Sequence, residues 1–144
     1  MYARLSSLYN TTSVKFDNTK YTLPEGIEVN SNPVTTMSKD PSIWGPHLWR
    51  YLHYSAANYP IHPDQRQNSQ MAHWLANLHV TIPCEECSMH YKNHIDKYRK
   101  DLHRICSTRD TLFNFLVDTH NAVNARNGKP LMTYEEARVL YGCH

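Results

Sequence analysis

Apolar residues recur at helical spacing from residue 41 to the C-terminus, and this pattern restricts the possible fold more than any other feature of the chain. The stripes predict amphipathic helices over about residues 43–58 and 64–80, from the cysteine pair at 84 to about 98, and up to about 126. A short fifth helix follows and stops at Gly142. No strand pattern alternates with these helices, which argues against a doubly wound or thioredoxin-like fold. The sequence therefore predicts an all-α fold, a four-helix bundle with a short fifth helix.

Helix-end signals support the last two of these elements. Ser107 and Asp110 are placed as a capping pair for the fourth helix, and Asn127-Gly128 as its stop. Thr133 and Glu136 form a T-x-x-E capping box in front of the fifth helix.

Residues 1–40 differ from the rest of the chain. They are rich in Ser, Thr and Asn and show no helical periodicity, so we expect an irregular N-terminal extension and a domain over 41–144. Within the extension, the turn residues 17–20 lie between two short apolar stretches, which allows a short hairpin over about 14–23.

Composition excludes several classes of protein. The 144 residues carry a formal charge of +2 without a long basic run, which argues against a nucleic-acid or membrane partner. No stretch reaches the roughly 18 apolar residues of a membrane span, and no export signal is evident at the N-terminus. We expect an intracellular, cytoplasmic protein. Four cysteines, only two of them closely spaced, do not form the framework of a disulfide-stabilised secreted scaffold.

Cys84-Glu85-Glu86-Cys87 carries the chemistry. Two thiols at C-x-x-C spacing form either a redox pair or half of a metal site. The stripe of the third helix turns both sulfurs toward the bundle, while Pro83 and the two acids favour a partly accessible helix terminus. Unpaired N–H groups and the helix dipole stabilise a thiolate there, so the pair is able to cycle between dithiol and disulfide.

Two other interpretations of the pair stay open. His90, His94 and Cys106 are available as further zinc ligands, but the two histidines share the predicted helix of the thiols, which disfavours a structural zinc site. In the second interpretation, Cys84 and Cys87 are buried core residues without a chemical role.

Polar and aromatic residues on two helices indicate a cofactor. Gly45, Trp49 and His53 recur every four residues on one face of the first helix, where a glycine gap would admit a flat ring system. His120 and Asn124 lie on the apolar face of the fourth helix, and buried polar groups need partners. These groups satisfy one another, or a bound heteroaromatic cofactor satisfies both sets.

Three motifs together resemble the Erv/ALR flavin-linked sulfhydryl oxidases: Trp44-Gly45-x3-Trp49-x3-His53, Pro83-Cys84-x2-Cys87-x2-His90, and His120-Asn121-x2-Asn124 with Gly128-Lys129-Pro130. The resemblance covers about residues 42–141 and looks closest to members encoded by large cytoplasmic DNA viruses. It implies noncovalently bound FAD, a homodimer, and oxidation of two thiols to a disulfide with oxygen reduced to hydrogen peroxide. A viral origin would place the protein in the host cytoplasm and the virion.

The resemblance also implies individual roles. Cys87 would be the flavin-proximal sulfur, and Cys84 the interchange sulfur that meets the substrate thiolate. The resemblance implies no metal ligand. It also implies a dithiol protein substrate, with a thioredoxin-like protein as the relay between the enzyme and its final substrates. The residues matching or adjoining positions that line FAD are Trp44, Gly45, Trp49, His53, Cys87, His90, Tyr91, His120, Asn121, Asn124, Arg126, Lys129 and Tyr134.

The sequence departs from the family in its other cysteines. Many cellular relatives tie the fourth helix to the following segment by a disulfide, and Val117 and Tyr134 stand at the corresponding positions. Cys106 and Cys143 either pair with each other, stay reduced or link subunits. Two alternatives to an oxidase remain, a zinc-binding interaction module and a structural helical protein.

Overall fold

The computed structural model describes residues 39–144, and the hairpin predicted over 14–23 lies outside the described residues. The described part of the chain contains six helices: α1 Pro41–Ala57, α2 Gln65–Asn77, α3 Glu85–Asp96, α4 Leu102–Ile105, α5 Arg109–Arg126 and α6 Tyr134–Tyr141. Two 3-10 segments, Leu78–Thr81 and Arg99–Asp101, follow α2 and α3. No strand occurs within residues 39–144, so the all-α prediction is confirmed.

The four long helices alternate in direction. His94 of α3 lies against Thr119 of α5, and Tyr98, just after the end of α3, lies against Phe115, so the two helices run antiparallel. Trp49 of α1 stacks on His120 of α5, while the later residue His53 reaches back to Phe113, which makes α1 antiparallel to α5 as well. The N-termini of α1 and α3 therefore lie at the same end of the bundle as the C-terminus of α5.

The core lies between these helices and is apolar. Its largest fully buried side chains include Leu52, Leu75, Ile95, Phe113 and Leu116, which come from all four long helices. Each such side chain contributes on the order of 1.5–3 kcal/mol through the surface it removes from water. Helix packing therefore fixes the positions of the polar groups that the core also contains.

The start of α5 corrects one prediction. Thr108, not Ser107, is the N-cap, and its partner is Thr111 rather than Asp110. The hydroxyl of Thr108 accepts from the Thr111 N–H, and the Thr111 hydroxyl accepts from the Thr108 N–H, both at 3.2 Å. The prediction was wrong by one residue because Ser107 and Thr108 are both good N-caps, and neighbouring packing selects between them.

One helix boundary and one additional helix differ from the sequence pattern. The second helix stops being α-helical at Asn77, and the chain tightens into the 3-10 segment Leu78–Thr81 before Pro83. Helix α4 is only four residues long, which is too short to produce a periodic signal in the sequence.

The stop signals after α5 and the cap of α6 are confirmed. Asn127 caps the end of α5, and Gly128 follows at φ 64°. The Thr133 hydroxyl accepts from the Glu136 N–H at 3.2 Å, and the Glu136 carboxylate accepts from the Thr133 N–H at 2.8 Å. Gly142 ends α6 in the left-handed region at φ 65°, which glycine adopts without a steric penalty.

Within residues 39–144, no helix combines the length and the apolar character needed to span a membrane.

Candidate active site

A disulfide joins Cys84 and Cys87 across the first turn of α3. Cys84 is the N-cap residue in an extended conformation, and its Sγ accepts a hydrogen bond from the Cys87 N–H at 3.2 Å. Both cysteines are half-buried, consistent with the predicted partly accessible helix terminus. The bridge is thus held at a helix N-terminus, where N–H groups and the dipole favour a thiolate once the bond opens.

The segment leading into the disulfide is anchored to α3. The Ser88 hydroxyl donates to the His79 carbonyl at 2.7 Å, and the Tyr91 hydroxyl donates to the Leu75 carbonyl at 2.9 Å. These bonds join the end of α2 and the 3-10 segment to the first two turns of α3. They fix the position of the loop that carries Cys84.

A cluster of stacked rings lies between α1 and α5. The rings of Trp49 and His120 are parallel within 6° and their centroids are 4.1 Å apart. His53 stacks on Tyr141 of α6 with centroids 4.4 Å apart, and its Nε2 lies 3.0 Å from Nδ1 of His120. The predicted convergence of Trp49, His53 and His120 on one site therefore exists as direct contacts.

The two histidines of this cluster are held neutral. His53 is fully buried, and burial, reinforced by the neighbouring His120, lowers its pKa to about 4. Burial also lowers the pKa of His120 to about 4, with a smaller contribution from the charge of Lys129. The second ring nitrogen of His53, Nδ1, is buried and has no hydrogen-bond partner in the described part of the chain.

The helix registers bring the remaining predicted groups to one end of the bundle. Continuing the α3–α5 register by two turns places Cys87 level with Arg126, at about 1.5 Å of rise per residue. The α1–α5 register places Gly45 level with Asn124. Gly45 is buried, yet among residues 39–144 a Cβ built on it would meet no heavy atom within 4 Å outside its own helix, so the described residues leave room beside α1 at this level.

The last residue of α5 and the loop after it carry cationic groups at the same end. Arg126 and Lys129 are exposed, and the Lys129 N–H donates to the Asn124 carbonyl at 2.9 Å. The side chain of Asn121 bonds the Met132 backbone on both sides, donating at 2.7 Å and accepting at 2.9 Å. Asn121 thereby folds the loop back along α5, while the side chain of Asn124 makes no hydrogen bond within residues 39–144.

The other predicted site residues lie at the margins of this region. Trp44 is half-buried at the start of α1 and donates from Nε1 to the Lys39 carbonyl at 3.2 Å. His90 is exposed, with Nε2 3.4 Å from the Glu86 carboxylate. Tyr134 is exposed on α6, and its hydroxyl donates to the Asp118 carboxylate at 2.8 Å. Burial raises the pKa of Tyr91, and its hydroxyl donates its hydrogen bond to the Leu75 carbonyl of α2.

Cys106 and Cys143 are free thiols, and both are buried. Burial raises the pKa of Cys106 to about 12, so this thiol stays protonated at neutral pH. Burial also raises the pKa of Cys143, although the nearby Arg138 guanidinium opposes that effect. Neither sulfur is presented at the surface of this chain for exchange with a substrate.

Sequence reasoning missed Tyr141 and Ser88 as members of the site. Tyr141 lies four residues after the buried Ala137 on α6, so helical periodicity could have indicated that it faces inward. Ser88 has no signal in the sequence, because its carbonyl partner belongs to a 3-10 segment that the pattern did not predict.

The residues present fit a flat heteroaromatic cofactor with phosphates. The space beside Gly45, the stacked Trp49 and His120, and the free amide of Asn124 offer an aromatic surface and polar groups. Arg126 and Lys129 offer exposed cations for phosphate. Among residues 39–144, no three His, Cys, Asp or Glu side chains lie close enough to hold a metal ion.

Comparisons with known proteins agree with this arrangement. A sequence model described as the Erv1 / Alr family matches residues 46–141. The chain is 42% identical over 94 residues to the putative FAD-linked sulfhydryl oxidase 096R of Invertebrate iridescent virus 3, covering 65% of this chain and 62% of that relative. It is 38% identical over 102 residues to the putative FAD-linked sulfhydryl oxidase 347L of Invertebrate iridescent virus 6, covering 69% of this chain and 92% of that relative.

A solved structure shares the fold. The crystal structure of the yeast Erv1 core superposes with a TM-score of 0.66 at 22% identity, covering 77% of this chain and 91% of that chain. The predicted resemblance is therefore confirmed on sequence and fold. The chain belongs to the Erv1 / Alr family.

Proposed function

We propose that this chain is an FAD-linked sulfhydryl oxidase that forms disulfides in protein substrates. The observation that carries the proposal is the Cys84–Cys87 disulfide at the start of α3, at the same end of the bundle as Gly45 and Asn124. The overall reaction converts two thiols and one oxygen molecule into one disulfide and one hydrogen peroxide. Both viral relatives named above carry this activity in their names.

Substrate oxidation starts at Cys84. A substrate thiolate attacks the Cys84 sulfur, the Cys84–Cys87 bond breaks, and Cys87 leaves as a thiolate. The second substrate thiolate then attacks the substrate sulfur of the mixed disulfide, so the substrate disulfide forms and Cys84 leaves as a thiolate. The Cys87 N–H, which already donates to the Cys84 sulfur, stabilises that leaving group.

Cys87 is the sulfur closer to the cofactor in this proposal. Cys87 lies in the first turn of α3, whereas Cys84 is the N-cap residue at the outer end of the helix, where a substrate thiolate would meet it first. Bound FAD would supply the two-electron acceptor for the reduced cysteine pair and the route of those electrons to oxygen.

The cofactor-holding residues divide into three groups. Trp49 and His120 form the aromatic and polar wall, and Gly45 leaves the space beside it. Arg126 and Lys129 hold the phosphates as exposed cations. Trp44, His53, His90, Tyr91, Asn121, Asn124 and Tyr134 complete the proposed set.

The proposed physiological partner is a dithiol protein, with a thioredoxin-like protein as relay. Residues 1–40 contain no cysteine, and Cys106 and Cys143 are buried, so the chain offers no accessible second pair of its own. We further propose a homodimer acting in the cytoplasm of an infected host cell. Exposed Tyr51 and Tyr54 on α1 offer apolar surface for a second copy, and light scattering of the purified protein tests this.

The absorption spectrum tests the activity directly. We expect the purified protein to show a flavin spectrum that bleaches when a dithiol is added without oxygen and returns when air is admitted. A colourless protein that takes up no added FAD would refute the proposal and favour the zinc-binding or structural alternatives.

Substitution of one sulfur separates cofactor binding from electron transfer. Cys87→Ser should keep the flavin but abolish its reduction by dithiols, because the disulfide can no longer form. Cys106→Ala is the matched control, since this buried thiol lies outside the proposed path, and it should still bleach. Flavin reduction retained in Cys87→Ser would contradict the role given to that sulfur.

A further inference from the structure

The hydrogen bond between His53 and His120 couples the protonation of the two rings. It joins Nε2 of His53 to Nδ1 of His120 at 3.0 Å, and each neutral imidazole carries one N–H. If His53 donates, both rings are protonated on Nε2. If His120 donates, both rings are protonated on Nδ1. The two histidines therefore share one tautomer.

Burial distinguishes these two states. In the Nδ1–H state, His53 would hold a buried N–H without an acceptor, because its Nδ1 has no partner within residues 39–144. An unpaired buried donor is destabilising, and orphaned N–H groups are rarer in proteins than orphaned acceptors. In the Nε2–H state, Nδ1 of His53 keeps only a lone pair, and both rings have the tautomer that a free imidazole side chain prefers.

The same state determines what His120 offers to a ligand. Its Nδ1 accepts from His53, so its Nε2 carries the proton. Nε2 of His120 makes no hydrogen bond within the described residues. It differs from Nδ1 of His53 because it is not among the buried atoms that lack a partner. The Trp49 ring, stacked at 4.1 Å, fixes the plane of the imidazole. His120 is therefore an oriented, neutral donor beside the proposed cofactor space.

We infer that His53 is a positioning residue that fixes His120 as the Nε2–H tautomer, so that His120 donates a hydrogen bond to an acceptor atom on a ring system of bound FAD. The inference rests on the proposed function for the identity of the cofactor. The acceptor is a carbonyl oxygen or a pyridine-type ring nitrogen, and a ligand with an N–H at that position is rejected.

Two-bond proton–nitrogen NMR of histidine-labelled protein tests the tautomer without any activity assay. We expect neutral Nε2–H rings for both His53 and His120 near neutral pH in the flavin-free protein, with the His120 Nε2 proton shifting when FAD is added. An Nδ1–H ring at His120 overturns the inference whether or not the protein binds FAD. A protein that takes up no FAD refutes the proposed function, whereas an Nδ1–H His120 in a protein that binds FAD refutes only the positioning role.

Two substitutions of His53 separate donation from packing. His53→Gln places an amide N–H near the position of the original Nε2, whereas His53→Phe fills the space without a donor. We expect FAD to bind about tenfold more weakly to His53→Phe, with mixed tautomers at His120, and His53→Gln to restore most of the affinity. Wild-type affinity and a pure Nε2–H His120 in His53→Phe would overturn the inference. Circular dichroism verifies that each variant is folded. If His53→Phe does not fold, the NMR spectrum of the wild-type protein still decides the tautomer of His120.

Discussion

Acid should destabilise this protein through the buried His53. Burial in the core, together with the adjacent His120, lowers the pKa of His53 to about 4 in the folded chain, from 6.5 for an unperturbed histidine. The unfolded chain therefore binds a proton at a higher pH than the folded chain does. By linkage, the stability that neutral His53 contributes is present above about pH 6.5 and is lost as the pH falls toward about 4.

The magnitude follows from the two pKa values. Between pH 7 and pH 5, proton uptake by the unfolded state at this single site lowers the free energy of unfolding by about 2 kcal/mol. The full loss by pH 4 approaches about 3 kcal/mol, at about 1.4 kcal/mol for each pH unit between the two values. His120 titrates in the same window for the same main reason, burial, and adds to the loss.

Chemical denaturation at a series of pH values measures this effect. We expect His53→Gln, which stays neutral, to lose about 2 kcal/mol less stability than the wild type between pH 7 and pH 5. His47→Gln, measured over the same pH series, is the matched control, because it removes an exposed histidine from the same helix. Equal pH slopes for His53→Gln and the wild type would show that the buried ring is protonated in the folded state and would refute the reasoning.

Three further changes test the anchors around the site. Tyr91→Phe removes the hydroxyl that donates a hydrogen bond to the Leu75 carbonyl of α2. It should lower the free energy of unfolding, measured by urea titration, by about 1 kcal/mol. An unchanged free energy of unfolding would show that this hydrogen bond does not stabilise the fold. Thr133→Ala removes the N-cap of α6 and should cost about 1 kcal/mol, whereas Thr133→Ser should keep most of that stability; equal losses would contradict the capping role. Lys129→Gln should weaken FAD binding several-fold and reduce its salt dependence in fluorescence titrations, because a phosphate contact is lost. Lys100→Gln, at the opposite end of the bundle, is the control for Lys129→Gln. An equal loss of FAD affinity in both variants would show that the net charge of the protein, and not a contact of Lys129 with phosphate, determines the affinity.

Local sequence signals were sufficient for much of the fold and for the redox pair. Helical spacing of apolar residues predicted the four long helices, and Pro83 with the following cysteines predicted a helix start at the thiol pair. These signals are local because side chains three and four residues apart share a helix face regardless of the rest of the chain. Capping was less certain, since Ser107 and Thr108 are adjacent and chemically alike, and the sequence pattern selected the wrong one.

The sequence by itself determined the five longer helices, the position of the Cys84–Cys87 pair at the start of α3, and the inward-facing position of His120 on α5. Only the tertiary structure decided how those residues pair, because the partners are distant along the chain. His53 and His120 are 67 residues apart, yet they share one hydrogen bond inside the core. The stack of Tyr141 on His53 depends on α6 folding back along α5, which is fixed by the bonds of Asn121 to the loop. Such contacts arise from packing between helices, and no local pattern encodes them.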